Sequence, residues 1–277
     1  MGTLKFQQLS SMNCHYARHS FPYFLDRTVE NGLSSIELWA EALYVEQATR
    51  ESLKTVKRML EERGMKLVCF TPEVLGHPFN IAMKDPELRA RSVAFVKRGI
   101  EIAAELNSPK MLIVSGWGDL DDSREEAMKR SLDSIAELSQ KAEAEGVVLA
   151  LEHLSPISSN LVNTAMDLKN VLDTIRSPAL KAMMDTCQMG LVHETVEDYL
   201  KLLGENLIHI HLVDGTPGGH LAFGDGNLPL KSITETLGEY GYGQYLSMEI
   251  ADRRYFAHPE LADRQSIAAF REWIHNQ

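Results

Sequence analysis

Val147-Val148-Leu149-Ala150-Leu151-Glu152 is a short apolar run that closes on a carboxylate, and the chain repeats this construction three times more. Residues 180–184 run into Asp185, residues 207–210 into His211 and residues 245–248 into Glu249. Apolar runs without alternation are what strands covered on both faces look like, as in a parallel sheet. Their polar ends follow one another at spacings of 33, 26 and 38 residues, room for a crossover helix in each interval.

The same alternation extends to the N-terminus. Further strands are expected at residues 6–12, 35–38, 67–71 and 110–114, and the last two of the quoted set are expected to reach 213 and 250. Helical periods lie between them. The clearest covers 123–145, with Met128, Leu132, Ile135, Leu138 and Ala142 on one stripe and Gly146 as a stop. Another opens on Asp85-Pro86, a cap followed by proline in the first turn, and carries Val96, Ile100, Ala103 and Leu106. A last one, roughly 258–275, closes the chain.

Eight strands alternating with about eight helices predict an α/β protein, a (β/α)8 TIM barrel, for which the 277 residues suffice. A doubly wound open sheet is the alternative, but the first βα turn, Asn13-Cys14-His15-Tyr16, carries no glycine-rich fingerprint. No linker or low-complexity tract splits residues 1–277, so one domain is expected.

A net charge of −11 argues against a nucleic-acid surface, which needs clustered Lys and Arg. Cys14, Cys69 and Cys187 are far apart with no CxxC, so neither a disulfide framework nor a thiolate zinc site is indicated. A reducing cytoplasmic setting is the simplest expectation. The first residues lack a signal-peptide segment, and no run approaches transmembrane length, so no membrane partner is expected.

Charged groups rarely sit where buried strands end unless something pairs them. In a barrel, the C-terminal strand ends form the reaction mouth, and Glu152, Asp185, His211 and Glu249 would converge on one half of it. Three carboxylates and an imidazole suit one divalent ion, Mn2+, Mg2+, Co2+ or Zn2+. One such acid alone reads as a helix cap or a lysine partner. Four at successive strand ends, with few bases near, would repel one another without a cation. His209 lies two residues before His211 on the same face of its strand, as a deeper group or as core packing. Asp214 is expected to orient a ligand histidine or to cap the following turn. Other mouth candidates for substrate contact are Glu37, Gln188, His220, Arg253 and Trp117, with Trp39 as a further wall and His15 and His153 as weaker options.

These motifs make the chain resemble the sugar-phosphate isomerase/epimerase family of xylose isomerase-like TIM barrels along almost its full length. The resemblance rests on Ile36-Glu37-Leu38-Trp39, on Phe70-Thr71-Pro72-Glu73 leading to Gly76-His77-Pro78-Phe79-Asn80, and on Leu151-Glu152-His153-Leu154-Ser155-Pro156 with Ser159-Asn160. It continues in Met184-Asp185-Thr186-Cys187, His209-Ile210-His211-Leu212-Val213-Asp214, the loop from His220 to Gly224-Asp225-Gly226, and Met248-Glu249. Within the family it is similar to the ketose 3-epimerases, on the fructoselysine rather than the free tagatose/psicose side. The resemblance implies that Glu152, Asp185, His211 and Glu249 hold one divalent metal ion. It also implies that Glu152 and Glu249 are the catalytic acids, one removing a proton beside a ketose carbonyl and the other returning one to the opposite face. A small carbohydrate substrate follows, and members of the family are often homo-oligomers, dimers or tetramers.

Two departures bear on substrate. Free-ketose epimerases usually carry histidine three residues after the strand-6 aspartate, where this chain has Gln188, and arginine in the loop after strand 7, where it runs Gly215-Thr216-Pro217-Gly218-Gly219. Aldose–ketose isomerisation of hydroxypyruvate- or hexulose-phosphate-type substrates and dehydration of an inosose would use the same site. Apurinic-site endonucleases share the quartet but add ligands at places that are here Phe70-Thr71, Ser115-Gly116, Gln188 and Gly218. A non-catalytic sugar-binding barrel would need no pair of bases.

Overall fold

The computed structural model describes residues 2–73 and 78–275. Eight parallel strands close on themselves in sequence order, each hydrogen-bonded to the next and β1 to β8. They are β1 (Leu9–Met12), β2 (Ser35–Ala40), β3 (Lys66–Pro72), β4 (Lys110–Val114), β5 (Val148–Glu152), β6 (Leu180–Asp185), β7 (Leu207–His211) and β8 (Leu246–Met248). The expected TIM barrel is therefore what forms. The strands bury both faces: every residue of β1 and β4 is buried, and β3, β5 and β6 have one residue each that is not.

Among the described residues, ten helices surround the sheet: α1 (Phe21–Glu30), α2 (Ala42–Gln47), α3 (Arg50–Glu61), α4 (Pro86–Glu105), α5 (Arg124–Glu145), α6 (Ala165–Ile175), α7 (Thr186–Leu191), α8 (Val196–Leu203), α9 (Leu230–Glu239) and α10 (Pro259–His275). Their ends follow local chemistry. Asp85 Oδ1 accepts the Glu87 and Leu88 amides at 2.9 and 3.0 Å to start α4, with Pro86 in the first turn. Ser123 caps α5, and Gly146, at φ 70°, ends it in the left-handed conformation that suits a residue without a Cβ. On α5, Ile135, Leu138 and Ala142 are buried as their stripe predicts, while Met128 and Leu132 pack half-buried at its margin.

Three strand expectations were too long. Residues 6–8 form a 3-10 turn instead of opening β1, because Gln8 turns its side chain to the Tyr242 and Gln244 carbonyls. Strand β7 stops at His211, and β8 at Met248. Among the described residues, no helix is long and apolar enough to cross a membrane.

Candidate active site

Strand ends place the quartet. Glu152, Asp185 and His211 are the last residues of β5, β6 and β7, and Glu249 follows β8 directly. One ligand-type atom from each lies within 4.8 Å of the others. Asp185 divides its carboxylate. Oδ1 accepts the Gln188 amide at 2.7 Å as the cap of α7, whereas Oδ2 is buried without a hydrogen-bond partner. His211 Nδ1 has Glu249 Oε2 at 2.9 Å and Glu152 Oε1 at 3.3 Å, yet neither meets hydrogen-bond geometry. Two buried, unsatisfied ligand-type atoms aimed into a cage of carboxylates fit a cation, because leaving them unpaired costs about 1–3 kcal/mol each.

The two glutamates differ in environment. Burial pushes the Glu152 carboxyl up to about 7 against the pull of His211, and the charges of Glu249 and Asp185 push the same way. Burial would also raise Glu249, but His211 and then His220 outweigh it and hold that carboxyl well below the usual range. Burial opposes the charge on His211, but Glu249 and Glu37 overcome it and raise its pKa. Paired acids driven apart in this way divide into a proton acceptor and a proton donor.

The loop from Leu212 to Pro229 brings His220 onto the quartet, its Nε2 3.1 Å from Glu249 Oε2 and 3.6 Å from Asp185 Oδ2. The backbone carbonyl of His220 accepts the Ala251 amide at 3.0 Å, which ties this loop to the segment after Glu249. Gln188 is buried at the start of α7, where its Oε1 accepts the Ser155 amide at 2.8 Å. Trp117 is half-buried in the loop after β4, and Asn80 clasps its backbone at both the N–H (3.1 Å) and the carbonyl (2.8 Å). Gly76 and His77 lie outside the described residues.

The structure places the remaining candidates as follows. Glu37 does not face the mouth. Strand β2 continues to Ala40, so Glu37 sits inside the barrel, 0% exposed, with its oxygens engaged by Thr71, His209 and His211. Arg253 is solvent-exposed in a 3-10 turn, and no hydrogen bond or ion pair ties its side chain to the quartet. Of the two roles expected of Asp214, the cap of the following turn is the one that forms: it accepts four backbone amides of its own loop. His15 pairs with buried Asp263 at 3.0 Å. His153 faces away from the cage, between Asn163 and Tyr199, and its Nε2 accepts the Asp185 amide at 3.4 Å.

Cys14 is a neighbour the sequence did not flag. Desolvation and then the charge of Glu249 push its thiol well up, with Glu37 and Glu73 adding to them, so this side chain belongs to the same surroundings. A lone cysteine in a loop carries no sequence signal of that kind. A cavity of about 350 Å3 lined by Leu38, Leu53, Phe70, Ile102 and Leu106 lies behind β2 and β3, and no member of the quartet lines it.

A family model described as xylose isomerase-like TIM barrel matches residues 25–273. Fructoselysine 3-epimerase of Shigella flexneri is 29% identical over 262 residues, 93% of this chain and 95% of that protein. D-psicose 3-epimerase of Enterocloster bolteae is 25% identical over 234 residues, 82% and 75% of the two chains. Among solved structures, D-psicose 3-epimerase with D-tagatose from Clostridium cellulolyticum H10 superposes with a TM-score of 0.81 at 19% identity, covering 97% of this chain and 98% of the other. The E. coli 3-keto-D-glucoside 4-epimerase gives 0.82 at 20% identity, covering 96% and 99%. At such identities these two speak for fold alone. Closed barrel, strand-end quartet and family match agree: the chain belongs to the xylose isomerase-like TIM barrel family.

Proposed function

We propose that this protein is a divalent-metal-dependent ketose 3-epimerase, with Glu152 and Glu249 as its two proton-transfer groups. The observation that carries the reading is the approach of both glutamates to one atom, His211 Nδ1, in environments that drive their carboxyls in opposite directions. Glu152, Asp185, His211 and Glu249 would hold the ion, in keeping with the unsatisfied Asp185 Oδ2 and His211 Nδ1. When bound, a divalent ion there supplies Lewis-acid polarisation of a ketose carbonyl and the adjacent hydroxyl.

Glu249, kept ionised by His211 and His220, takes the proton from C3 onto a carboxylate oxygen. The C–H electron pair moves toward the neighbouring carbonyl, leaving C3 planar. Glu152, whose carboxyl burial pushes up to about 7, is the group placed to return a proton to the opposite face of C3, and the carbonyl re-forms. One proton leaves, one arrives, nothing is oxidised and the centre inverts. The reverse reaction exchanges the two roles.

Gln188 and Trp117 are the proposed substrate contacts, with His220 at the edge between substrate and Glu249. Gln188 spends its carbonyl oxygen on Ser155, which leaves its amide as a donor to a sugar hydroxyl. A glutamine there, with the fructoselysine 3-epimerase relative at 29% identity, favours a lysine-linked ketose over a free one. The test is incubation in D2O with Mn2+ across free, phosphorylated and lysine-linked ketoses. Deuterium at C3 alone is expected. Label at C1 or C2 would make the protein an aldose–ketose isomerase, and no label on any ketose would sink proton-transfer chemistry altogether.

A further inference from the structure

Glu37 lies one layer below the quartet with no access to solvent. An ionised carboxylate is an acceptor only, so every close polar neighbour must donate to it. Oε2 has His209 Nε2 at 2.7 Å, and Oε1 and Oε2 have His211 Nε2 at 3.1 and 3.2 Å. The Thr71 hydroxyl donates to Oε1. His209 Nε2 also meets Ser247 Oγ at 3.0 Å, and Ser247 meets Ser10 Oγ at 2.7 Å. His209 and His211 are both held by Nε2, and the Nδ1 atom of each is buried without a hydrogen-bond partner.

The consequences for the two rings differ. On His209, the unpartnered Nδ1 is a lone pair in the barrel core. On His211, the unpartnered Nδ1 is the atom that faces Glu152, Asp185 and Glu249. A histidine can offer a lone pair to a cation from one ring nitrogen only when the other carries the proton, and the partner of that other nitrogen decides the matter. Among the described residues, Glu37 is the one hydrogen-bond acceptor of His211 Nε2.

We propose that Glu37 is the positioning residue of the metal centre: it fixes His211 as the Nε2–H tautomer and so presents Nδ1 to the ion. This rests on the quartet being a metal site. His209 and Thr71, the other donors, hold the Glu37 carboxylate under the ring and let it serve both imidazoles at once. Glu37, His209 and His211 also form a compact donor set. The atoms that face one another within it, both Nε2 nitrogens and the two Glu37 oxygens, are already joined by hydrogen bonds, whereas Asp185 Oδ2 and His211 Nδ1 in the quartet have none, so it is assigned as support and not as a second ion site.

The experiment uses the full chain with Cd2+ and Mn2+ as probes. In 15N-histidine-labelled protein loaded with Cd2+, nitrogen NMR is expected to show His211 Nδ1 coupled to the ion and Nε2 protonated. Calorimetric titration with Mn2+ is expected to give about one ion per chain, and Glu37→Gln, which turns one acceptor into a donor at equal volume, should weaken binding by about 10- to 100-fold. Thr71→Val, which removes one donor to Glu37 but spares both imidazole contacts, should weaken binding less than Glu37→Gln. Coupling through Nε2, or unchanged affinity in Glu37→Gln with the wild type binding normally, overturns the proposal alone. A second ion lost in Glu37→Gln overturns it by making the cluster an ion site. Absence of any binding to the wild-type chain would sink the metal reading and this inference with it. If Glu37→Gln does not fold, the NMR assignment on the wild type decides.

Discussion

Asp214 gives the sharpest stability prediction, because its carboxylate is the hub of the loop that carries His220. Oδ1 accepts the amides of Gly215 at 2.8 Å and Leu228 at 3.1 Å; Oδ2 accepts those of Gly224 at 2.8 Å and Gly226 at 3.1 Å. The side chain is 2% exposed, so water cannot replace these bonds without the loop opening. Hydrogen bonds to a charged group are worth about 1.5–3 kcal/mol each. Asp214→Asn keeps one accepting oxygen and therefore two bonds, while its amide group faces two N–H donors. Asp214→Ala keeps none. Adding four bonds would overshoot, since losses from one substitution rarely exceed about 5 kcal/mol and the loop can relax toward solvent. We expect a loss of about 2–3 kcal/mol for asparagine and about 4–5 kcal/mol for alanine. Melting temperatures should fall in the same order, by roughly 2–4 °C per kcal/mol for a chain of this size. Hydrogen exchange should quicken first at Gly224 and Gly226, ahead of the barrel strands. Activity should fall further in the alanine variant because His220 rides on this loop. Equal melting temperatures for the two variants, or an alanine variant within about 1 kcal/mol of wild type, would refute the hub argument.

Glu249→Gln should lower deuterium exchange at C3 by at least about a hundredfold while leaving circular dichroism unchanged; retained turnover would remove Glu249 from the reaction. Gly226→Ala puts a Cβ 2.3 Å from Asp214 Oδ1 and 2.4 Å from the Gly215 carbonyl, so it should cost about 1–3 kcal/mol, read as a lower melting temperature. Burial holds His153 down at about 4. The unfolded chain, with histidine near 6.5, binds the extra proton first, so this contribution to stability is complete above about 6.5 and is lost as pH falls toward 4. Comparing urea midpoints at pH 7 and pH 4.5, His153→Gln should lose less than wild type by up to about 3 kcal/mol, and equal losses would contradict the assignment.

What could be read from the sequence follows from strand geometry. Apolar runs closing on polar residues mark strand ends wherever both faces are buried, which is why Glu152, Asp185 and His211 were legible as one set. Glu37 misled because the apolar segment continues for three residues past it, through Trp39 to Ala40. Three residues at about 3.3 Å each move a side chain roughly 10 Å down the barrel, from the mouth to the layer beneath. His209 carried the right signal, a two-residue offset from His211, but the pattern alone could not choose between packing and support. Loop residues are harder. His220 reaches the quartet through a positive φ of 48° and a backbone tie to Ala251 that no local pattern announces. Cys14 and Arg253 show the same limit in opposite directions, one placed where the charge of Glu249 reaches its thiol and the other left in solvent.

The barrel interior explains why the quartet needs so much beneath it. Barrel cores are usually layers of branched apolar side chains, yet here Ser10, Ser247, His209, Glu37 and Thr71 form a continuous polar column. At its foot, buried Lys110 donates to the Ile208 carbonyl at 2.6 Å, at the N-terminal end of β4. Such a column is costlier than leucine and valine unless every member is satisfied, and a half-satisfied network is worse than an apolar one. Its members are satisfied except for His209 Nδ1 and, at the top, His211 Nδ1. The first is a lone pair on a ring whose Nε2 is already bound, and the second opens on the cage of carboxylates. The column therefore directs its one exposed consequence at the reaction site, and removing the carboxylate in its middle should disturb the ion above before it disturbs the barrel around it.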